Sequence, residues 1–368
     1  MSENICRWGI LGSAGIARKN WQSIRNSGNG TLVGVASRSM DRAQEYIDEC
    51  QAHIGFPEKP QAFGSYEDMV ASPDIDALYI PLPTGLRKEW AIRAAQAGKH
   101  VLCEKPCGID VAELEEILRA CEDSGVQFMD GVMFMHSKRL DRIREILNDG
   151  ESIGKLRRIN TMFSFCAPEE FLTGDIRMNS DLEPLGCLGD LGWYNIRFTL
   201  WVMNYAMPRS VTGRLLNASA REDSPSAVPT EFSGELLFDD DVSAGFYCSF
   251  LTEHQQQATV SGMKGNLRLD DFVLPFMGNE AAFTVNNAQF SQEVCDFHMK
   301  RFDRREAVAE YSDSHPTAQE TNLFRNFGDL ALGGTPDPEW GEIALKTQKV
   351  MMACVESARL GGEAMPVL

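Results

Sequence analysis

The amino-acid sequence predicts an α/β protein in which an N-terminal doubly wound parallel sheet precedes a C-terminal α+β domain with a large, mostly antiparallel, open-faced sheet. Three observations lead to this fold class. Apolar strand-like runs alternate with helical patterns over the first 135 residues, and period-two alternation of apolar and polar residues recurs after residue 155. The length of 368 residues is also sufficient for two domains.

The amino-acid composition argues against some classes of binding partner. With 53 acidic and 35 basic residues, the formal net charge is -18, which argues against nucleic acid and anionic membranes because both favour basic surfaces. The 10 cysteines are scattered among apolar neighbours, so we expect free thiols in a reducing cytoplasm. A strand begins almost at the N-terminus and no run is apolar enough to span a bilayer, so we predict no signal peptide and no anchor.

The first strand, Arg7 to Leu11, leads into a turn of small residues and then a helix that reaches about Ile24. Small residues in this context let backbone N–H groups approach a pyrophosphate at a helix N-terminus. Alanines stand where the second and third glycines of a dinucleotide motif are expected, so an ordinary strand-to-helix turn is the alternative. The candidate cofactor contacts in this turn are Gly12, Ser13, Ala14, Gly15 and Ile16.

The second strand, Leu32 to Ala36, ends in Ser37 and Arg38. An NAD-specific site usually places a carboxylate at this strand end, whereas a cation accommodates a 2′-phosphate. We therefore interpret Ser37 and Arg38 as a phosphate clamp and predict NADP as the cofactor, with NAD possible. A solvated arginine at a strand end is the alternative.

Two short helices follow. The first is predicted over 41–50, and residues 51–63 are interpreted as a loop and a strand. The second, Tyr66 to Ala71, has Ser65 as a plausible N-cap.

The stretch from Ala77 to Pro106 organises the first domain. It reads as an apolar strand, a proline-rich turn with 82–84 extended, an amphipathic helix ending at Gly98, and a second apolar strand. Two buried strands joined by a helix form a parallel pair, and ligands bind outside the carboxyl edge of such a sheet. Lys105 is therefore the first catalytic candidate, and we expect cofactor contacts from Pro81, Leu82, Pro83, Glu104 and Lys105 itself.

The remainder of the first domain contains one more helix and strand. Asp110 with Glu113 predicts a capped helix over 111–123, and an apolar strand is expected from Val126 to Phe134. We therefore predict a Rossmann-type dinucleotide-binding domain over residues 1–135.

Residues 136–368 are predicted to form a substrate-binding and oligomerisation domain. Helices are expected over 189–202 and 339–360, and the second of these is open to packing back on the first domain. Alternating strands are expected over 155–165, 210–216, 232–238, 243–250, 257–262 and 266–269, with hairpin turns at 239–241 and 262–265. The most linker-like loop is 221–229.

Asp190 and Tyr194 stand four residues apart in the run GDLGWY, so they share one face of the predicted helix. If they meet Lys105 in one cleft, the three form an acid–base set in which the ammonium lowers the pKa of the phenol. The alternative is a buried tyrosine with Asp190 as a helix cap.

Six motifs of the chain match a known family pattern: WGILGSAGIA at 8–17, ASR at 36–38, YIPLP at 79–83, EWAIRAAQAGKHVLCEKP at 89–106, MDGVMFMH at 129–136 and GDLGWY at 189–194. On these motifs the chain resembles the Gfo/Idh/MocA oxidoreductase family, especially the branch of dimeric dihydrodiol dehydrogenase and sugar dehydrogenases. The resemblance implies that Lys105 is the catalytic lysine and that Asp190 and Tyr194 form the second catalytic motif. It also implies dimers or tetramers built through the C-terminal sheet.

The chain departs from this family at three positions. Thr84 and Arg87 replace the usual asparagine and histidine after the proline-rich turn, and Asp130 stands where a glutamate is usual. The first two changes alter the expected contacts on the nicotinamide side.

The remaining candidates are two cysteines, three histidines and one arginine. Cys103 and Cys107 lack a second ligand pair, so we predict no metal site. His136, His254 and His298 have no partners visible in the sequence, and we expect Arg177, within the loop 167–179, to border the cleft.

The sequence thus predicts an NAD(P)-dependent dehydrogenase or reductase that transfers hydride between nicotinamide and a secondary alcohol or hemiacetal carbon of a sugar-like or cyclic diol substrate. Two alternatives stay open. One is a nucleotide-binding regulatory or sensor protein without turnover, and the other is an enzyme that uses tightly bound NAD(P) for epimerisation or elimination.

Overall fold

A computed structural model describes residues 5–367. The first unit contains a six-stranded sheet with the order β3-β2-β1-β4-β5-β6, in which every neighbouring pair is parallel. Its strands are β1 (Cys6–Leu11), β2 (Gly30–Ala36), β3 (Gln61–Phe63), β4 (Ala77–Ile80), β5 (His100–Cys103) and β6 (Phe128–Asp130). Its helices are α1 (Gly15–Asn26), α2 (Met40–His53), α3 (Tyr66–Ala71), α4 (Thr84–Gln96) and α5 (Val111–Asp123). The predicted doubly wound sheet is confirmed.

The strand order reverses between β1 and β4, which defines the crevice where ligands of such sheets bind. All four residues of β4 are buried, as expected for a central strand covered on both faces. Two predicted caps are present: Ser65 accepts a hydrogen bond from the Asp68 N–H, and Asp110 accepts one from the Glu113 N–H. Glu113 accepts in turn from the Ile109 N–H, which completes a reciprocal cap on α5.

Two local expectations in the first unit were wrong. Thr84 is the first residue of α4 rather than part of an extended turn, because Glu183 accepts its N–H and hydroxyl hydrogen bonds and so caps the helix. The strand expected to reach Phe134 ends at Asp130, and a 3₁₀ turn occupies Met133–His136.

The second unit is organised by an eight-stranded sheet with the order β14-β13-β12-β11-β7-β10-β9-β8, antiparallel except between β7 and β10. Its strands are β7 (Leu156–Cys166), β8 (Ser210–Ser219), β9 (Val228–Leu237), β10 (Ser243–Ser249), β11 (Leu251–Gly262), β12 (Asn266–Leu269), β13 (Glu280–Glu293) and β14 (Asp296–Ala309). The mostly antiparallel sheet is confirmed, whereas the long β13–β14 hairpin was not predicted. The loop around 221–227 connects β8 to β9 within this sheet and does not separate domains.

The helices of the second unit are α6 (Lys138–Asn148), α7 (Glu169–Gly174), α8 (Trp193–Val202), α9 (Gln319–Leu332) and α10 (Glu339–Arg359). Helices α6, α8 and α10 contact this sheet, whereas α9 packs on the first unit. Helix α10 contacts both α5 and β8, so it packs back on the first unit. Helix α9, which was not predicted, places Phe324 and Phe327 against Trp8 of β1. The division at residue 135 stays a prediction.

Within residues 5–367, none of the helices has the length and apolar character needed to cross a bilayer.

Candidate active site

A cleft of about 600 Å³ lies between the carboxyl edge of the first sheet and the second unit. It brings together the turn after β1, the turn after β4, the turn after β5 and the start of α8. Of the predicted site residues, it is lined by Ala14, Gly15, Ile16, Pro81, Leu82, Glu104, Lys105, Asp190 and Tyr194. Residues that are far apart in the sequence therefore share one cavity.

Lys105 and Asp190 form an ion pair at the centre of the cleft. The Lys105 ammonium donates to Asp190 Oδ1 at 2.7 Å and to the Asp190 backbone carbonyl at 2.6 Å. Both side chains are largely buried, with exposed fractions of 8% and 19%. An ammonium has three N–H donors, so one is left for a ligand in the cleft.

Asp190 sits on a single π-helical turn, Leu188–Gly192, immediately before α8. Such turns are rare and occur frequently at functional sites. The glycines in this turn permit close packing: a Cβ on Gly189 would lie 3.2 Å from Pro106, and one on Gly192 would lie 3.3 Å from the Cys248 sulfur. The turn therefore seats Asp190 directly against the segment that carries Lys105.

Arg177 is the second cation on Asp190, with its Nε 2.9 Å from Asp190 Oδ2. Burial by itself would raise the pKa of Asp190, but the Arg177 and Lys105 charges outweigh it and lower that pKa to about 2. The carboxylate in return raises the pKa of Arg177. Asp190 is thus a permanent anion at neutral pH. As expected, Arg177 borders the cleft.

Tyr194 lies beside this pair, with the Lys105 ammonium 4.6 Å from the centre of its ring. The expectation that Lys105 lowers the pKa of this phenol was wrong. Burial, followed by the negative charges of Glu104 and Asp190, raises the pKa of Tyr194 well above its usual value. The Arg177 charge acts in the opposite direction but does not reverse the shift, so the phenol is protonated at neutral pH.

Glu104 directly precedes Lys105 in the chain and is buried. It accepts a hydrogen bond of 2.6 Å from the buried Tyr79 hydroxyl, which itself accepts one from Asn20. Burial and the Glu104 charge raise the pKa of Tyr79, so this phenol stays protonated and keeps donating. The arrangement fixes the Glu104 carboxylate at the rim of the cleft.

Thr84 and Arg87, the two positions that depart from the family pattern, form a buried network with Glu183. Arg87 donates to the carbonyls of Leu82 at 2.7 Å and Pro106 at 2.5 Å, and to Thr84 Oγ1 at 2.8 Å. Thr84 donates its hydroxyl to Glu183 at 2.5 Å. The network ties the turn after β5 to a loop of the second unit.

The turn after β1 fits a dinucleotide. Gly12 has a φ of 107°, which favours glycine, and a Cβ there would lie 3.0 Å from Leu82. Ala14 is the N-cap of α1 and offers no side-chain cap, so the first N–H groups of the helix remain available for an anion. A Cβ on Gly15 would meet nothing within 4 Å, which shows open space above the turn.

The other predicted cofactor residues lie outside this cleft. Arg38 is exposed and has no ion pair among residues 5–367, whereas Ser37 is buried at the end of β2. Ser13 lines a separate cavity of about 520 Å³ beside Arg42 of α2. Pro83 is the N-cap residue of α4. Arg42 was not predicted, although an arginine four residues after Arg38 is visible in the sequence.

The remaining histidine and cysteine candidates occupy different environments in the structure. His136 is buried, stacks on Trp340 and pairs with Asn326, which is a structural placement. His254 lines the cleft, whereas His298 is exposed on β14. The part of the chain covered by residues 5–367 contains no cluster of potential metal ligands, and all ten cysteines are free.

Sequence reasoning missed two carboxylates of the cleft, Asp175 and Glu183. Asp175 stands two residues before Arg177 and pairs with it at 3.2 Å, a short-range pattern that could have been noticed. Glu183 bonds Thr84, which is 99 residues away, and no local signal indicates this contact.

Sequence comparison with known proteins identifies relatives over up to 97% of the chain. Residues 6–132 match the model of an oxidoreductase family with an NAD-binding Rossmann fold, and residues 140–268 match the GFO/IDH/MocA C-terminal domain. An uncharacterised oxidoreductase of Rhizobium meliloti is 30% identical over 97% of this chain and 98% of its own. D-xylose 1-dehydrogenase (NADP(+)) 2 of Haloferax volcanii is 32% identical over 71% of this chain and 74% of its own.

A curated relative from mouse and a solved structure extend the comparison. The mouse trans-1,2-dihydrobenzene-1,2-diol dehydrogenase is 28% identical over 73% of this chain and 76% of its own. The structure of KijD10, a 3-ketoreductase from Actinomadura kijaniata with NADP and TDP-benzene, has a TM-score of 0.77 at 24% identity and covers 96% of this chain and 98% of its own. At that identity the structural match shows the fold alone.

Proposed function

The chain belongs to the Gfo/Idh/MocA oxidoreductase family, and we propose that it is an NAD(P)-dependent oxidoreductase acting on a secondary alcohol or hemiacetal carbon of a sugar-like or cyclic diol substrate. The observation that carries this proposal is the Lys105–Asp190 ion pair beside Tyr194, at the carboxyl edge of a parallel sheet. An ammonium and a protonated phenol in one cleft are the groups needed to handle the proton of a substrate oxygen.

We assign a separate role at that substrate oxygen to each of Lys105, Asp190 and Tyr194. A bound nicotinamide supplies or accepts the hydride at the neighbouring carbon. Tyr194, whose pKa is raised by burial, donates its proton to a carbonyl oxygen during reduction and takes it back during oxidation. Lys105 directs its remaining N–H at the same oxygen, and Asp190 fixes the direction of that N–H by accepting the other donors.

The cofactor is proposed to be NADP. The uncapped start of α1 would receive the pyrophosphate. Ser37 and Arg38 would receive the 2′-phosphate, because no carboxylate follows β2 within those two residues. Arg38 is exposed and has no ion pair within residues 5–367, so its guanidinium is suited to a bidentate phosphate contact.

The charges of the cleft favour a neutral, hydroxylated substrate. Each cation is matched by a carboxylate: Lys105 by Asp190 at 2.7 Å, and Arg177 by Asp190 at 2.9 Å and by Asp175. Arg87 lies 3.8 Å from Glu183. A diphosphate or carboxylate substrate needs unpaired cations, whereas a sugar or diol binds to alternating donors and acceptors. Free aldoses and cyclic diols are therefore better candidates than nucleotide-linked sugars.

We also propose that the protein is cytoplasmic and forms homodimers or homotetramers through the second sheet. The cysteines support a reducing compartment, because Cys187 and Cys248 are free although their Sγ atoms lie 4.0 Å apart. The uncovered face of the eight-stranded sheet supports an assembly.

The test is turnover with NADPH or NADP on a panel of aldoses, polyols and cyclic diols. Lys105→Ala is expected to reduce kcat by about 1000-fold while NADPH fluorescence still reports binding. Lys88→Ala is the matched control, because Lys88 lies on α4 and pairs at the surface with Glu116. Turnover retained in Lys105→Ala would contradict the assignment.

The same panel distinguishes the alternatives. If the wild-type protein turns over none of these compounds but still binds NADPH, the result would favour a sensor. Product formed without net change in nicotinamide absorbance would favour epimerisation or elimination with retained cofactor.

A further inference from the structure

Most ionisable side chains of the cleft are held by one another. Lys105 and Arg177 pair with Asp190, and the other carboxylates accept hydrogen bonds from neighbouring hydroxyl or N–H groups. Within residues 5–367, Tyr194 and His254 are the ionisable side chains of the cleft that have neither a hydrogen bond nor an ion pair. Tyr194 is assigned to the reacting oxygen, so His254 is the polar group whose contact in the cleft is still to be accounted for.

The register of β11 directs His254 into the cleft. Gln256 and Ala258 are buried on one face of this strand, and His254 lies two residues before Gln256 on the same face. Gln256 pairs directly with Phe163 of β7, and Phe163 itself lines the cleft. The imidazole therefore lines the cleft from the side of the eight-stranded sheet.

A bulge in β11 opens the sheet at this position. The register shifts so that residues 252–254 stand opposite only Phe165 of β7. The Ser164 hydroxyl anchors the bulge by donating to the backbone carbonyl of Glu253 at 2.8 Å. Such bulges are over-represented beside active sites, where they redirect a side chain. The position of His254 is thus fixed by the strand rather than by a free loop.

The surroundings of His254 are apolar. The Phe163 ring meets the His254 ring nearly at right angles, with the centroids 6.4 Å apart, and Phe165 stands opposite the bulge. Leu274, which also lines the cleft, is held against β11 by two hydrogen bonds between its backbone and the Gln256 side chain, at 2.6 and 2.7 Å. A single polar group in an apolar wall of a pocket fixes the orientation of a ligand.

His254 and Tyr194 lie at different depths in the cleft. Tyr194 is 6% exposed, whereas His254 is exposed. Phe163, which is 5% exposed, contacts both rings, with centroid distances of 5.6 Å to Tyr194 and 6.4 Å to His254. A ligand whose reacting oxygen meets Tyr194 at the floor therefore reaches His254 with a group that points towards the opening.

We propose that His254 binds a substrate hydroxyl remote from the reacting carbon, and that the substrate is therefore an aldose rather than a simple cyclic diol. A neutral imidazole offers one N–H donor and one acceptor nitrogen, which together match a hydroxyl group. The second hydroxyl of a vicinal diol lies beside the reacting carbon, whereas an aldose carries further hydroxyls across its ring. This inference rests on the proposed function and narrows its substrate class.

Steady-state kinetics with NADP test the proposal on D-glucose, its 2-deoxy, 3-deoxy, 4-deoxy and 6-deoxy analogues, D-xylose and trans-1,2-cyclohexanediol. His254→Ala is expected to raise KM for D-glucose about 3- to 10-fold with kcat nearly unchanged, because one hydrogen bond common to the ground state and the transition state is lost. KM for cyclohexanediol, and for the deoxy analogue that lacks the contacted hydroxyl, should not change, since those complexes have no such bond to lose.

Two further variants make the comparison specific. Gln257→Ala is the matched control, because Gln257 lies on the same strand, is exposed and faces away from His254; it should leave every KM unchanged. His254→Gln keeps a donor and an acceptor, so its KM for D-glucose should lie between those of the wild type and His254→Ala.

Sugar binding is also measured without turnover, by saturation-transfer difference NMR on the complex with NADPH. If the wild type binds the sugars but does not oxidise them, the proposed reaction fails, and the dissociation constants of the same variants still decide the role of His254. An equal loss for all compounds, including cyclohexanediol, would overturn the proposal. No loss for any sugar, or a wild type that binds the cyclic diol but neither D-glucose nor D-xylose, would overturn it as well.

Discussion

Replacing Arg87 tests the network that joins the two halves of the cleft. Arg87 is 6% exposed, and its guanidinium bonds two backbone carbonyls and Thr84 Oγ1. Arg87→Met keeps the length of the aliphatic side chain but removes every donor. The Leu82 and Pro106 carbonyls then lose their charged partner, and the Glu183 carboxylate loses a cation 3.8 Å away.

The expected cost follows from those contacts. Hydrogen bonds to charged groups contribute about 1.5–3 kcal/mol each, and removal of one partner of a buried ion pair costs about 3–5 kcal/mol. Glu183 keeps its two bonds from Thr84, so we expect a loss near the lower end, about 3–4 kcal/mol. Because Pro106 follows Lys105 directly, we also expect kcat/KM to fall at least about tenfold.

Urea denaturation and steady-state kinetics measure the two effects. Arg93→Met is the matched control, because Arg93 lies on the same helix, is 45% exposed, pairs at the surface with Glu67 and Glu89, and has its guanidinium 4.9 Å from the centre of the Trp90 ring. Such surface pairs contribute about 0–1 kcal/mol. Arg87→Lys should recover little of the loss, because an ammonium cannot reproduce the planar fork. If Arg87→Met and Arg93→Met unfold at the same urea concentration, the network is not holding the turn as argued.

Three further predictions concern charge. Arg38→Ala is expected to raise KM for NADPH by about 10- to 100-fold and to leave KM for NADH nearly unchanged, since a bidentate phosphate contact is worth about 1.5–3 kcal/mol; equal effects on both cofactors would refute the phosphate clamp. The folded-state pKa of Asp190 is lowered to about 2, below its unfolded value of about 3.9. The contribution of the Asp190 carboxylate to the free energy of unfolding is therefore present above pH ~4 and is lost as pH falls towards 2. The difference in unfolding free energy between wild type and Asp190→Asn should therefore shrink by about 2 kcal/mol over that window, and a pH-independent difference would contradict the shift. Burial and the Arg197 charge lower the pKa of His136 to about 3, so the free energy of unfolding should fall by up to about 1.4 kcal/mol per pH unit below pH ~6.5. Urea midpoints between pH 6.5 and 5 measure this slope, which His136→Gln should remove and the exposed control His298→Gln should keep.

The alternation of strand and helix was readable because its causes are local. Buried parallel strands give continuous apolar runs such as Ala77–Ile80, and caps such as Ser65 and Asp110 act within four residues of their partners. The alternating residues of β7 to β12 indicated a one-sided sheet for the same reason. The β13–β14 hairpin was missed because its outer part is exposed on both faces and gives no core pattern.

The candidate catalytic side chains could be recognised from local patterns, since Lys105 ends a buried strand and Asp190 with Tyr194 stand at helical spacing. The protonation states of those groups, in contrast, depend on contacts between distant parts of the chain. The Lys105–Asp190 contact spans 85 residues, and the raised pKa of Tyr194 comes from burial between elements that meet only when both units are packed. Thr84 and Arg87 show the same division: their departure from the family pattern was visible in the sequence, but their partner Glu183 was not, because no local pattern encodes a contact between distant loops.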